Sequence, residues 1–106
     1  MIYEWRIYTV MPGKMSTLNR SAEKAMKLME KYGIKVVGFW EAEVGPSNTL
    51  YYMLAYESMA HREKAWNAYM VDPEGVKMRQ GAEKEGAVVE RTINLLLKPT
   101  SYSPMQ

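Results

Sequence analysis

Cysteine is absent from the chain, and with it go disulfides, thiolate nucleophiles and zinc–thiolate sites. The absence fits a reducing compartment, so a cytoplasmic location is the expectation. Charge of one sign is also missing: 14 Lys and Arg stand against 12 Asp and Glu, a net of +2, and the basic residues are scattered. That is not the clustered footprint of a nucleic-acid binder. No apolar run approaches the roughly 20 residues a membrane span needs. The opening MIYEWRIYTV alternates and carries Glu4 and Arg6, so it reads as a strand and not as the unbroken apolar segment of a signal peptide. Histidine occurs once, at His61, and a lone His lacks the companion ligands that metal and haem sites require. No metal and no cofactor are therefore expected.

The chain does contain material for one globular domain. Its 106 residues are 47% hydrophobic, which supports a single domain over 1–106 with a tail at 99–106. Ten Met and eight Tyr against one Phe is an unusual mixture. Met packs adaptably and the Tyr hydroxyl wants a partner, a combination suited to an interior that is partly polar or lined for a ligand.

Residues 2–10 alternate Tyr3, Trp5, Ile7 and Thr9 with Glu4, Arg6, Tyr8 and Val10, which predicts a strand with one apolar and one mixed face. After Pro12-Gly13, apolar residues recur at Met15, Leu18, Ala22, Ala25, Met29 and Tyr32, a continuous helical stripe closed by Gly33. Lys35–Val44 and Thr49–Glu57 flank the turn residues Gly45-Pro46-Ser47-Asn48 and read as an antiparallel hairpin. Ser58 is a good N-cap for a helix with the stripe Met59, Arg62, Trp66, Tyr69 and Met70, and Pro73 opens a further helical stretch to about Lys84. Ala87–Leu97 alternates again as a last strand.

The order β-α-β-β-α-β is the split βαβ, ferredoxin-like α+β pattern. In it two helices cover one face of a four-stranded antiparallel sheet whose first and third strands are central. The other face stays open, yet Tyr51, Met53 and Ala55 alternate with Tyr52, Leu54 and Tyr56, so both faces of the third strand look buried. A second copy laid sheet to sheet would supply the cover, which predicts a homodimer.

Particular stretches resemble the NIPSNAP family: YEWRIYTVMPGKM at the start, VGFWEAEVGPSN and YMLAYESMAHRE in the middle, and ERTINLLLKPTSYSP at the end. The resemblance covers nearly the whole chain and is weakest between Asp72 and Glu85. It implies a dimeric α+β barrel, a fold shared by cofactor-free monooxygenases, small isomerases and, in larger relatives, haem proteins. No single activity follows from it. Family members commonly carry H-L-W-A-Y where this chain has Tyr52-Met53-Leu54-Ala55-Tyr56, so no role of that His or Trp transfers. Animal members are linked to mitochondria and to protein interactions. Without a targeting extension or a second domain copy, the chain looks more like a small bacterial stand-alone form.

Arg6 and Tyr8 share one face of the first strand, Tyr52 and Tyr56 one face of the third, and Arg91 is expected to flank Arg6 from the fourth. Directed between the sheet and its helices or between two paired sheets, with Trp40 nearby, these groups would form a cavity holding a fixed cation and several phenols, suited to a small aromatic or anionic molecule. An enzyme of this kind would carry out a cofactor-independent oxidation or an isomerisation. Against this stands a structural network in which Glu4 or Glu43 neutralises the arginines. On the larger scale the alternative is a non-catalytic homodimeric interaction module. His61 and Ser58 look superficially like a catalytic pair, but a Ser at an N-cap has its oxygen committed to backbone amides. Glu41 and Glu43 resemble paired carboxylates, though alternate glutamates also keep an edge strand soluble.

Overall fold

A computed structural model describes residues 1–106. The elements run β1 (Ile2–Val10), α1 (Met15–Lys31), β2 (Lys35–Glu41), β3 (Thr49–Tyr56), α2 (Met59–Met70), α3 (Pro73–Ala82) and β4 (Val89–Leu97). The sheet order is β2-β3-β1-β4 and every pairing is antiparallel, so the first and third strands are central as the sequence pattern requires. No helix is long and apolar enough to cross a membrane.

Local chemistry explains the boundaries. At the end of α1 the amide of Gly33 donates to the Glu30 carbonyl and that of Ile34 to the Met29 carbonyl, while Gly33 takes φ +82°. These paired bonds around a left-handed glycine form a Schellman stop, and the following Ile34 is driven into the core at 1% exposure. The Ser58 hydroxyl accepts from the His61 amide and starts α2, as its position predicts. Asp72 starts α3 by accepting from the amides of Glu74 and Gly75, with Pro73 in the first turn.

Two expectations need correction. β2 stops at Glu41, three residues short of Val44, because Ala42–Asn48 forms an exposed connection that includes Glu43 and Val44. The buried residues of α2 are Ala65 and Tyr69, whereas Met59 and Met70 at its ends are exposed. A stripe drawn through both ends of a short helix overreaches, since only its central turns meet the sheet.

The main core lies between the sheet and the helices, where Ala25, Leu28 and Met29 of α1 and Ala65 and Tyr69 of α2 pack on Tyr52, Leu54 and Tyr56 of β3. Register then fixes what faces away. Trp5, Ile7, Tyr51 and Met53 alternate with the core positions, and on β4 Ile93, Leu95 and Leu97 stand opposite Ile7, Trp5 and Tyr3. Ile93, Leu95, Leu97 and Trp40 are each more than 40% exposed. The uncovered side of the sheet is therefore apolar.

Candidate functional site

A polar network is built into the helix-facing side of β1 and β3. Its hub is Glu4, fully buried, whose carboxylate accepts from Arg6 Nη1 at 2.9 Å, from Arg62 Nη2 at 2.9 Å and Nε at 3.3 Å, and from the Tyr56 hydroxyl at 3.1 Å. Burial by itself pushes the Glu4 carboxyl up, but the hydrogen bonds and charges of Arg62 and Arg6 outweigh it and hold the group below the usual carboxylate range. Arg6 continues the network through Nε to the Tyr52 hydroxyl at 2.6 Å and through Nη2 to the Tyr8 hydroxyl at 3.3 Å. The hydroxyls of Tyr8 and Tyr52 are themselves 2.7 Å apart. Both guanidiniums lie over the Trp66 ring, Arg6 Cζ at 4.8 Å and Arg62 Cζ at 5.6 Å from its centroid.

Desolvation works against the charge on Arg6, yet the neighbouring Tyr52, Tyr8 and Glu4 more than offset it, so the cation is permanent. Burial pushes the Tyr52 phenol well up, reinforced by Tyr8 and opposed by Arg6. Tyr56 is raised by burial and then by the charge of Glu4. Arg6, Tyr52 and Tyr56 therefore keep their protons at neutral pH.

The phenol end of this network opens on a cavity of about 260 Å³ between the sheet, α1 and α3, with Tyr69 of α2 also in its wall. Most of the lining is apolar, from residues such as Leu18, Ala25, Met29, Leu50 and Val88. Phe39 stacks on Tyr52 with ring centroids 4.7 Å apart and holds that phenol in place. The arrangement combines an apolar body site with hydrogen-bond donors fixed at one end, a pattern characteristic of small-molecule pockets.

The six residues singled out from the sequence fall into two groups. Arg6, Tyr8, Tyr52 and Tyr56 come together on the helix side of the sheet, the first of the two placements open to them. Alternation along β1 and β3 sends Trp5, Ile7, Tyr51 and Met53 to the open side instead. Arg91 does not flank Arg6: it stands opposite Thr9 and so shares the open side with it, and the β4 residue opposite Arg6 is Asn94. Trp40 is opposite Tyr51 on the open side, 47% exposed, with its ring 5.9 Å from Trp5. Glu43 is exposed and forms no ion pair with the arginines, whose partner is Glu4.

Arg62, Tyr69 and Arg79 escaped the reading of the sequence as site residues. Arg62 and Tyr69 were legible only as members of a helical stripe, and a stripe does not say which of its polar tips reaches a buried carboxylate or a cavity. Ser58 and His61 do not form a nucleophile pair. Ser58 Oγ accepts from the His61 amide at 3.1 Å, and His61 Nδ1 accepts from the Glu57 amide at 3.0 Å, which puts the neutral ring's proton on Nε2.

Element order, sheet order and one-sided helix cover place the molecule in the ferredoxin-like α+β class. Solved structures share the fold. A NIPSNAP family protein of Agrobacterium tumefaciens superposes with a TM-score of 0.86 at 24% identity, over 99% of this chain and 98% of that one. A NIPSNAP domain protein of Burkholderia xenovorans gives 0.83 at 20% identity over 98% and 99%. An antibiotic biosynthesis monooxygenase gives 0.67 at 6% identity over 94% and 99%, a likeness of fold alone. The NIPSNAP family model matches residues 3–104, and the chain belongs to that family. Human NipSnap homolog 3A is 32% identical over 75 residues, 70% of this chain, and NipSnap homolog 3B is 31% identical over 67 residues, 62% of it. The matched segments span 30% and 27% of those two relatives.

Proposed function

We propose that the protein binds a small aromatic or anionic molecule in the cavity between its sheet and its helices, and that two copies pair through the open sheet face. The observation that carries the first part is the pair of hydroxyls of Tyr8 and Tyr52, backed by Arg6, at one end of a mostly apolar cavity. At about 260 Å³ the cavity falls just under the roughly 300 Å³ at which pockets for drug-sized ligands begin, which favours a compact ligand. A permanent cation backing two phenol hydroxyls also suits the stabilisation of an oxyanion, the demand common to cofactor-free oxidation and isomerisation.

Support for the pairing is the apolar surface formed by Trp40, Ile93, Leu95 and Leu97 on a sheet whose helices cover only the opposite side. That surface equally supports a second reading, a homodimer that acts as a non-catalytic interaction module. Calorimetric titration with small aromatic acids and phenols separates the two. Binding that weakens in Tyr52→Phe supports the cavity reading. No binding to any probe, together with a higher melting temperature in Ala25→Leu as the new side chain fills the space, leaves the interaction module.

A further inference from the structure

Protons outnumber acceptors around the inner end of the cavity. Arg6 can only donate, and it donates to the hydroxyls of both Tyr52 and Tyr8. Those hydroxyls are also bonded to each other, so one donates to the other. Two phenols carry two protons, and this bond uses one. The second proton has no acceptor in the protein. Tyr52 is 3% exposed whereas Tyr8 is half-buried, and both line the cavity. With Tyr52 donating to Tyr8, the unused proton sits on the less enclosed hydroxyl, that of Tyr8.

A further donor and a further cation line the same cavity. Tyr69 is 4% exposed, and no protein group accepts from its hydroxyl. Its phenol is pushed up mainly by burial, with Tyr8 adding to the rise, while the charge of Arg79, a hydrogen-bonding approach from Arg79 to the phenol oxygen and the charge of Arg6 oppose it, so the hydroxyl proton remains free to donate. Arg79 also lines the cavity; it donates from Nη2 to the Met70 carbonyl at 2.7 Å, while its Nη1 is enclosed beside Gly75 without a hydrogen-bond partner, so the residue brings its charge to the cavity wall. The only carboxylate in the lining, Glu83, is exposed at the rim. Charge points the same way, since Arg6 and Arg62 share the single carboxylate of Glu4 and two positive charges against one negative leave +1.

Resting on the cavity reading above, we infer that the ligand is a monocarboxylate with a compact apolar body, whose oxygens accept from the hydroxyls of Tyr8 and Tyr69 beside the positive charge of Arg79. A carboxylate fits because its oxygens only accept at neutral pH. An amide or an alcohol brings its own donor to a site already full of donors. The apolar body lies along Leu18, Ala25 and Val88.

The test is calorimetric titration of the intact protein with octanoate and benzoate, each beside its amide. Both acids are expected to bind, with octanamide and benzamide weaker by about tenfold or more. Tyr8→Phe, Tyr69→Phe and Arg79→Gln, each checked for fold by circular dichroism, are each expected to weaken octanoate by about tenfold and octanamide by much less. The two Tyr→Phe changes keep the test decisive even where Arg79→Gln does not fold. Equal affinity for acid and amide, or octanoate binding unchanged in the folded variants, overturns the carboxylate assignment while leaving the cavity reading in place. Failure of acids and amides alike to bind overturns both.

Discussion

Arg62 of α2 donates two hydrogen bonds, from Nε and Nη2, to the carboxylate of Glu4 on β1, and so fastens the second helix to the central strand through a fully buried acid. Because the same acid also holds Arg6, a single carboxylate orients the guanidinium that positions both Tyr8 and Tyr52. Fold and candidate site share this one group.

Glu4→Gln leaves two arginines facing a neutral amide, and removing one partner of a buried ionic cluster typically costs about 3–5 kcal/mol. Urea unfolding at pH 7 checks it. The pH dependence has a definite sign. Glu4 is held below its ordinary value of 4.5 in the folded state, so the unfolded chain binds more protons as the medium is acidified. The contribution of Glu4 is fully present above about pH 4.5 and is lost as pH falls through the lower folded value. Unfolding free energies measured across that acid range should fall more steeply for the wild type than for Glu4→Gln.

The open face gives a prediction about assembly. Ile93 and Leu95 are 44% and 45% exposed on the edge strand β4 and flank the central Trp5 and Ile7. Sedimentation equilibrium at micromolar concentration should show a dimer, and Ile93→Asp or Leu95→Asp should shift it to a monomer by burying a charge without a partner. A wild-type protein that sediments as a monomer under these conditions ends the pairing proposal. The cavity lies on the other side of the sheet and is unaffected by that outcome.

Ser58→Ala removes the side-chain oxygen that accepts from the His61 amide at the start of α2. The expected cost is about 1 kcal/mol, which for a domain of this size lowers the melting temperature by roughly 4–8 °C. Ser58→Asp should restore most of the loss. If Ser58→Ala leaves the melting temperature unchanged, the hydroxyl does not cap the helix.

Much of the architecture was written in local patterns. The 3,4 spacing from Met15 to Tyr32, the Gly33 stop and the Ser58 cap each act within a few residues, so α1 and the start of α2 could be placed from the sequence. Alternation in β1 and β3 likewise gave two faces, but it did not say which face the helices cover. That choice depends on the register between strands, and Arg91 shows the consequence: the pairing of Thr9 with Arg91 puts it on the side opposite Arg6. Glu4 was named in advance as a possible counter-charge, yet its role as hub depends on Arg62, which lies 58 residues away in sequence. No spacing rule reaches that far.

Gly38 and Trp40 supply a last prediction, on the open face. A Cβ added at Gly38 would lie 2.7 Å from two atoms of the Trp40 ring, closer than real contacts allow, so the indole rests directly on the glycine backbone. Trp40 is 47% exposed and the clash is with the far end of its side chain, so Gly38→Ala should turn the ring away instead of unfolding the strand. Turning it separates Trp40 from Trp5, whose ring centroid is now 5.9 Å away. The near-ultraviolet circular dichroism of the tryptophans should therefore change while the urea midpoint of the protomer moves little. If Trp40 belongs to the dimer contact, sedimentation should also show weaker association, because an aromatic anchor at an interface loses its effect once displaced. An unaltered tryptophan spectrum in Gly38→Ala would mean that the indole is not seated on Gly38, and Trp40 would then lose its place in the proposed interface.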